Sequence, residues 1–123
     1  MKYRILTLFL LLSFSIIWGD DLSEALKQND DYLLKNFSEL NRKYLEKGYR
    51  SGLIEINERV IDIARTKGDS LNVGRALYNL GVQYRAKQNY DASLNYCWQG
   101  ITIFKSLNNY LNLVISYNTL FQI

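Results

Sequence analysis

The sequence predicts an all-α fold in which antiparallel helix pairs stack on one another as a short α-solenoid. Apolar residues recur at intervals of three and four through most of the chain, which is the spacing of one helix face. This pattern also recurs at an offset of about 40 residues, and periods of that size are typical of solenoids. The chain has 123 residues, enough for one small domain.

Residues 1–19 are predicted to be a secretory signal peptide. Lys2 and Arg4 give the positive start, residues 5–17 are almost wholly apolar, and a small residue precedes the polar sequence that follows. The apolar stretch is shorter than the roughly 20 residues of a membrane span. We therefore expect an exported chain, periplasmic or secreted, with residues 20–123 as the repeat domain. An uncleaved membrane anchor is the alternative.

The repeat domain begins with a polar segment, and a break in the helical pattern is predicted near Asn29. Helical spacing predicts a succession of helices after this break. They are expected to span residues 32–47, 52–66, 71–87, 92–105 and 111–123. Gly48 and Gly68 are predicted to end the first two helices. Asp91 is a candidate cap for the fourth helix. Five side chains of that helix are expected to point inward: Leu94, Tyr96, Cys97, Ile101 and Phe104.

Turns as well as apolar positions agree on the repeat offset. A shift of about 40 residues places Leu80 on Leu120 and Gly68 on Asn108. One helix pair cannot bury both of its apolar faces, so pairs stack. The chain supplies two complete pairs and half of a third, so the domain is predicted to be incomplete at its C-terminus. We expect further repeats or another chain to cover that end.

The clearest copy of the repeat resembles the tetratricopeptide repeat. The resemblance rests on Leu77-x-x-Leu80-Gly81-x-x-Tyr84, followed by Asn89-Tyr90-Asp91-x-Ser93-Leu94-x-x-Cys97-x-x-Gly100. Leu77 replaces the usual tryptophan, and Ser93 and Gly100 stand where alanines are usual. The period is about 40 residues rather than 34. Such long-period variants resemble the N-terminal sensory segments of bacterial signalling proteins.

The resemblance implies a binding surface on the concave face, which is lined by the first helix of each pair. Carried over by position, the exposed residues of that surface are Lys35, Ser38, Arg42, Arg75, Tyr78, Asn79, Val82, Arg85, Asn118 and Gln122. Arginine and asparagine donors suit carboxylate oxygens, so an extended peptide with acidic groups is the expected ligand. The alternative is that Arg75 and Arg85 are ordinary solvated helix residues.

The composition argues against catalysis and against nucleic-acid binding. The chain has no histidine, and its single cysteine excludes an internal disulfide framework. Glu55, Glu58 and Asp62 share a helix face that is better explained as solvated than as an acid/base pair. The net charge of +3 falls to +1 without Lys2 and Arg4, since 13 basic then face 12 acidic residues.

These features predict a non-catalytic protein- or peptide-binding module with no catalytic residue, cofactor or metal. The resemblance implies that it forms the extracytoplasmic N-terminal part of a longer signalling protein. A free-standing periplasmic or secreted scaffold is the alternative within the same class. A small hydrolase is the remote alternative from another class, and the lack of histidine disfavours it.

Overall fold

The computed structural model describes residues 26–123, and this part of the chain contains five stacked α-helices. They are α1 (Asp30–Glu46), α2 (Arg50–Thr66), α3 (Ser70–Ala86), α4 (Tyr90–Ser106) and α5 (Tyr110–Phe121). The first four contain 17 residues each and the fifth contains 12. The predicted all-α fold of stacked helix pairs is confirmed. The predicted signal peptide, residues 1–19, lies outside the described residues.

Each pair of consecutive helices is joined by a three-residue turn that reverses the chain. The middle residue has a positive φ in every one of these turns: Gly48 (77°), Gly68 (69°), Gln88 (61°) and Asn108 (51°). The next backbone N–H then reaches back to a carbonyl in the last turn of the preceding helix, as in Asp69 N to Ala64 O at 2.8 Å. This arrangement satisfies helix-end carbonyls that would otherwise lack a donor.

Side-chain caps begin most of the helices. The side chains of Asn29, Asp69, Asn89 and Asn109 each accept a hydrogen bond from the backbone N–H three residues further on. The prediction that Asp91 caps the fourth helix is therefore wrong. Asn89 takes that role because α4 already begins at Tyr90, and Asp91 lies in the first turn. There its carboxylate still faces the positive end of the helix dipole.

The core lies between successive helices, each of which packs on the next, while α3 also contacts α5. Its largest fully buried side chains include Tyr44 on α1, Ile56 on α2, Leu77 on α3 and Phe104 on α4. Of the residues expected inward on α4, Cys97, Ile101 and Phe104 are buried and Tyr96 is half-buried. The expectation for Leu94 is wrong, because that side chain is 36% exposed.

The backbones of α3 and α4 approach each other closely at two glycines of α3. A Cβ on Gly81 would lie 2.5 Å from Cys97 Sγ, and one on Gly74 would lie 2.7 Å from Phe104 Cε1. Ser93 Oγ donates a buried hydrogen bond of 2.7 Å to Gly81 O. Small residues on both helices therefore let the backbones meet, as expected for Ser93. Among the helices of residues 26–123, none has both the length and the apolar character needed to cross a bilayer.

Candidate functional site

The ten side chains predicted to bind a partner lie on α1, on α3, and on α5 together with its C-terminal cap Gln122. We call the surface that they form the odd-helix face. Equivalent places recur at an offset of 40 residues, because α1, α3 and α5 begin at residues 30, 70 and 110. Lys35 thus corresponds to Arg75, and Ser38 corresponds to Tyr78 and Asn118. Six of the ten are exposed, and Tyr78, Asn79, Val82 and Arg85 are half-buried.

Two contacts join α3 to α5 across this face. Tyr78 Oη lies 3.1 Å from Thr119 Oγ1, and Arg85 Nη1 donates a hydrogen bond of 2.5 Å to Gln122 Oε1. Thr119 Oγ1 donates its own proton to Ile115 O at 3.2 Å, so Tyr78 is the donor in the first contact. The structure therefore brings together four residues of two helices, three of which belong to the predicted set.

A network of three asparagine side chains joins α1, α2 and α3 beneath the same face. Asn57 on α2 is fully buried, and its Nδ2 donates to Asn41 Oδ1 at 2.6 Å and to Leu53 O at 2.7 Å. Asn79 Nδ2 donates to Asn57 Oδ1 at 3.2 Å. Buried amides of this kind are costly unless paired, and here the pairing fixes the position of Asn79. Asn79 Oδ1 is left available on the half-buried surface.

The charge of the odd-helix face is uneven. Arg42 forms an exposed ion pair with Glu46 at 3.1 Å, so its guanidinium is already partnered by a carboxylate. Arg75 is exposed and has no ion-pair or hydrogen-bond partner among residues 26–123. Glu39 is exposed on α1 at the place that corresponds to Asn79. On α1 the positive charges of Lys35 and Arg42 are balanced by Glu39 and Glu46, so the net positive charge of the face lies on α3, at Arg75 and Arg85.

A second, open groove lies between α2 and α4. It has a volume of about 360 Å³, and its lining includes Glu58 and Asp62 from α2, Leu77 from α3 and Tyr96 from α4. The Tyr96 ring stacks on Tyr84 with 5.4 Å between the centroids. Burial raises the pKa of the Tyr96 phenol, and the nearby Tyr84 and Glu58 raise it further. The groove thus combines apolar side chains at its floor with exposed carboxylates at its edge.

Cys97 is fully buried, in agreement with its predicted inward position on the fourth helix. Burial raises the pKa of its thiol, while the hydrogen bond with Ser93 and the charge of Arg85 act in the opposite direction. The thiol is therefore neutral and enclosed, which is the opposite of the environment of a reactive cysteine.

Three residues that were not predicted as part of the face support it from below: Asn41, Asn57 and Thr119. A signal for Asn57 was present, because it stands in line with Leu53, Val60 and Ala64 at helical spacing on an apolar stripe. A lone amide in such a stripe indicates a buried polar contact. Thr119 carries no comparable signal, since its partner lies 41 residues away.

Within the described part of the chain, no group of three or more histidine, cysteine or acidic side chains is arranged to hold a metal ion. No protein-family model, curated protein or solved structure matches the chain.

Proposed function

We propose that the chain is an exported, non-catalytic module, similar to tetratricopeptide repeats, that binds a protein or an extended peptide along the odd-helix face. The ligand that we propose carries acidic side chains or a free carboxylate. No cofactor, metal, nucleic acid or catalytic residue takes part. The proposal places the module outside the cytoplasm, as the N-terminal part of a longer signalling protein.

The observation that carries this proposal is the pair of contacts between α3 and α5. Tyr78 with Thr119 and Arg85 with Gln122 join alternate helices on one side of the stack. A ligand lying across these helices therefore meets one continuous surface. Because the asparagine network holds Asn79 in place, part of that surface is ordered before the ligand arrives, which lowers the entropic cost of binding.

The chemistry of the face favours an anionic, extended ligand. Arg75 is exposed and unpaired among the described residues, so its guanidinium is free to form a bidentate contact with a carboxylate. When the ligand binds, Arg85 gives up its hydrogen bond to the neutral amide of Gln122 and donates to a carboxylate of the ligand, which is the stronger acceptor. Asn79 Oδ1 accepts a backbone N–H of the peptide, while its own amide stays bonded to Asn57.

The test is selection of peptides from a random library displayed against the exported chain, followed by titration of the enriched peptides. We expect the enriched sequences to contain Asp or Glu. Reversing both charges, with Arg75→Glu and Arg85→Glu, is expected to weaken their binding by at least about a hundredfold, since each of the two charged contacts contributes about 1.5–3 kcal/mol. The matched control is Arg65→Glu, which reverses an exposed charge on α2.

Equal losses in the double variant and in the Arg65 control would show a general charge effect and contradict the site. A library without any enriched peptide would contradict the function itself. Increasing salt is expected to weaken the wild-type interaction, because the contacts are exposed to solvent.

The context of the module is tested separately by reading the coding sequence past Ile123. A further repeat, then a membrane-spanning run and kinase-like motifs, supports the signalling context. A stop codon there favours the free-standing periplasmic or secreted scaffold. The N-terminus of the exported chain, read by mass spectrometry, tests cleavage after Gly19 and the alternative of an uncleaved anchor.

A further inference from the structure

We propose that the groove between α2 and α4 is a second binding site, which takes an arginine side chain of a partner protein. We call it the even-helix groove and define it by five of its lining residues: Glu58, Asp62, Leu77, Leu80 and Tyr96. The inference does not depend on ligand binding at the odd-helix face. It commits the groove to one occupant, a basic segment of another protein.

The even-helix groove is bounded on both sides by helices of the described part of the chain. One wall is α2 and the other is α4, and α3 packs against both of them at the floor. Helices that follow α5 in a longer solenoid would extend the stack and leave this groove open. Its volume of about 360 Å³ lies at the small end of the range for ligand pockets, about 300–1,000 Å³, and therefore suits a single long side chain.

The floor of the groove suits the aliphatic part of a long basic side chain. Leu77 is 2% exposed and Leu80 is 0% exposed, so the floor is well packed and apolar. Arginine lays its methylene groups along such a surface and keeps its charged end at the edge, in water. An acidic side chain in the same place would meet the two carboxylates of α2, so the groove selects a cation.

An aromatic pair stands at the α4 wall. The rings of Tyr84 and Tyr96 stack with 5.4 Å between their centres and 18° between their planes. The ammonium of Lys87 lies 5.9 Å from the centre of the Tyr84 ring, so the pair already attracts one cation of the chain. Tyr96 is half-buried and lines the groove. A guanidinium that enters the groove can stack on a tyrosine ring in the same way.

Two carboxylates at the edge of the groove lack a cation. Glu58 and Asp62 are exposed, and neither forms an ion pair with another residue of 26–123. They stand four residues apart on α2, a spacing at which like charges repel and weaken a helix. After burial and Tyr84, the charge of Glu58 is a further cause of the raised pKa of Tyr96, so this carboxylate lies near the ring. A guanidinium beside Tyr96 would therefore offset the repulsion.

The basic residues of α2 leave these carboxylates unpaired. Arg59 is directed to the start of α1, where it pairs with Asp30 at 3.7 Å and donates a hydrogen bond of 3.1 Å to Gln28 O. Arg65 lines the other end of the groove. Seven residues, about 10 Å along the helix axis, separate it from Glu58. The negative end of the groove is therefore open to a cation from outside.

The carboxylates are not needed for packing of the repeat. A shift of 40 residues, which superimposes α2 on α4, places Trp98 where α2 has Glu58 and Thr102 where α2 has Asp62. An aromatic residue and a hydroxyl thus occupy the same helix positions without loss of the fold. The charge on α2 is a property of this groove alone.

Arginine suits the groove better than lysine does. A guanidinium is planar, so its face can stack on the Tyr96 ring while its edge donates to two carboxylate oxygens. An ammonium is a compact, strongly hydrated charge and cannot make both contacts at once. The proposal therefore includes a preference between the two basic side chains.

The probe is a capped peptide, Gly-Gly-Arg-Gly-Gly, titrated into the isotope-labelled exported chain and followed by amide NMR shifts. We expect saturable shifts at Glu58, Asp62 and Tyr96, with a dissociation constant in the millimolar range because one side chain makes all the contacts. The lysine version of the peptide is expected to bind several-fold more weakly. A version with citrulline, which has the shape of arginine without its charge, is expected to bind at least about tenfold more weakly.

Variants test the residues of the groove. Glu58→Gln with Asp62→Asn is expected to weaken binding of the arginine peptide by about tenfold or more, since both acceptor charges are lost. The matched control is Glu39→Gln with Glu55→Gln, which removes two exposed carboxylates outside the groove and changes the net charge equally. Tyr96→Phe keeps the ring and is expected to keep the binding, whereas Tyr96→Leu is expected to weaken it several-fold. Circular dichroism confirms that each variant keeps its helices.

Equal binding of the arginine and citrulline peptides overturns the proposal, and so does an equal loss in the two double variants. Absence of shifts at Glu58 and Tyr96 at the highest peptide concentration overturns it as well. The variant with Arg75→Glu and Arg85→Glu is expected to bind the arginine peptide as the wild type does. Failure at the even-helix groove is thereby distinguished from failure at the odd-helix face.

Discussion

Gly81→Ala tests the tightest contact of the fold with a single methyl group. The new Cβ would lie 2.5 Å from Cys97 Sγ and 3.3 Å from Ser93 O. Both neighbours belong to α4, so α3 and α4 must separate or one side chain must leave its position. The hydrogen bond from Ser93 Oγ to Gly81 O crosses the same contact and is expected to lengthen.

The expected destabilisation follows from three opposing effects. Alanine favours a helix over glycine by about 1 kcal/mol. Overpacking a close contact costs about 1–3 kcal/mol, and weakening the buried hydrogen bond costs about 1 kcal/mol more. The steric effects outweigh the gain in helix propensity, so we expect Gly81→Ala to lower the free energy of unfolding by about 1–3 kcal/mol.

A double-mutant cycle with Cys97→Ala isolates the steric part. Cys97→Ala alone leaves a small cavity in the core and is expected to cost about 1 kcal/mol. In the double variant the methyl at position 81 occupies space that the sulfur vacated. The combined cost is therefore expected to be smaller than the sum of the single costs by at least about 1 kcal/mol. Urea unfolding followed by circular dichroism measures all four corners of the cycle.

The reasoning is refuted if the two costs simply add to within about 0.5 kcal/mol. Additivity would mean that the methyl at position 81 and the sulfur of Cys97 do not compete for the same space. A Gly81→Ala variant as stable as the wild type would refute it more directly. In that case the helix pair would tolerate a wider spacing than the structure shows.

Three further predictions concern backbone strain, a buried hydroxyl and pH. Gln88→Gly is expected to stabilise the fold by about 0.5–1 kcal/mol, because Gln88 has a φ of +61°, a backbone conformation that is unstrained only for glycine. Gly68→Ala makes the reverse change at the equivalent turn position and is expected to destabilise the fold through backbone strain alone, since no atom lies within 4 Å of the added Cβ. Urea unfolding measures both variants. Ser116→Ala is expected to raise the unfolding free energy by about 1 kcal/mol, since Ser116 Oγ is buried without a hydrogen-bond partner in the described part of the chain; a loss of stability would contradict this. Burial raises the pKa of the Cys97 thiol, so above its ordinary value of 9.0 the unfolded chain binds fewer protons than the folded chain and stability falls as pH rises. Cys97→Ala is expected to flatten that decline in unfolding experiments at several pH values, and an unchanged slope would contradict the assignment.

The helices and their order were predictable because the apolar spacing and the turns agree. Gly48 and Gly68 indicated two of the positive-φ positions, since glycine adopts a positive φ without steric cost. The first turn of α4 was less clear, because Asn89 and Asp91 are both good caps and only the backbone geometry separates them. The sequence signal located this helix start to within two residues, which is the usual uncertainty of helix boundaries.

The sequence predicted which residues share the candidate face but not how their side chains pair. Position within the repeat placed Tyr78, Arg85 and Gln122 on one side of the stack, and the contacts between α3 and α5 involve all three. The same reasoning treated Arg42 as an available donor, whereas it pairs with Glu46 one turn further along α1. Pairing of this kind depends on side-chain rotamers, which residue spacing does not fix.

The asparagine network shows why the turns of the two repeats are alike while the side chains between their helices differ. Asn41, Asn57 and Asn79 meet where α1, α2 and α3 join. A shift of 40 residues, the distance between the starts of α1 and α3, maps them onto Gly81, Cys97 and Thr119. The first junction is held by amide hydrogen bonds and the second by close packing of sulfur on a glycine.

Both junctions occupy the same places in the helices, so the geometry of the stack is preserved while the side-chain chemistry has changed. Turns repeat faithfully because a positive φ and a helix cap admit few residue types. The places where three helices meet can hold either polar side chains that are all hydrogen-bonded or small side chains that pack closely. Each solution works only when all of its residues are present. A single exchange between the two, such as Asn57→Cys, is therefore expected to destabilise the fold, because it removes the partner of Asn41 and Asn79 without supplying a glycine for the sulfur to pack against.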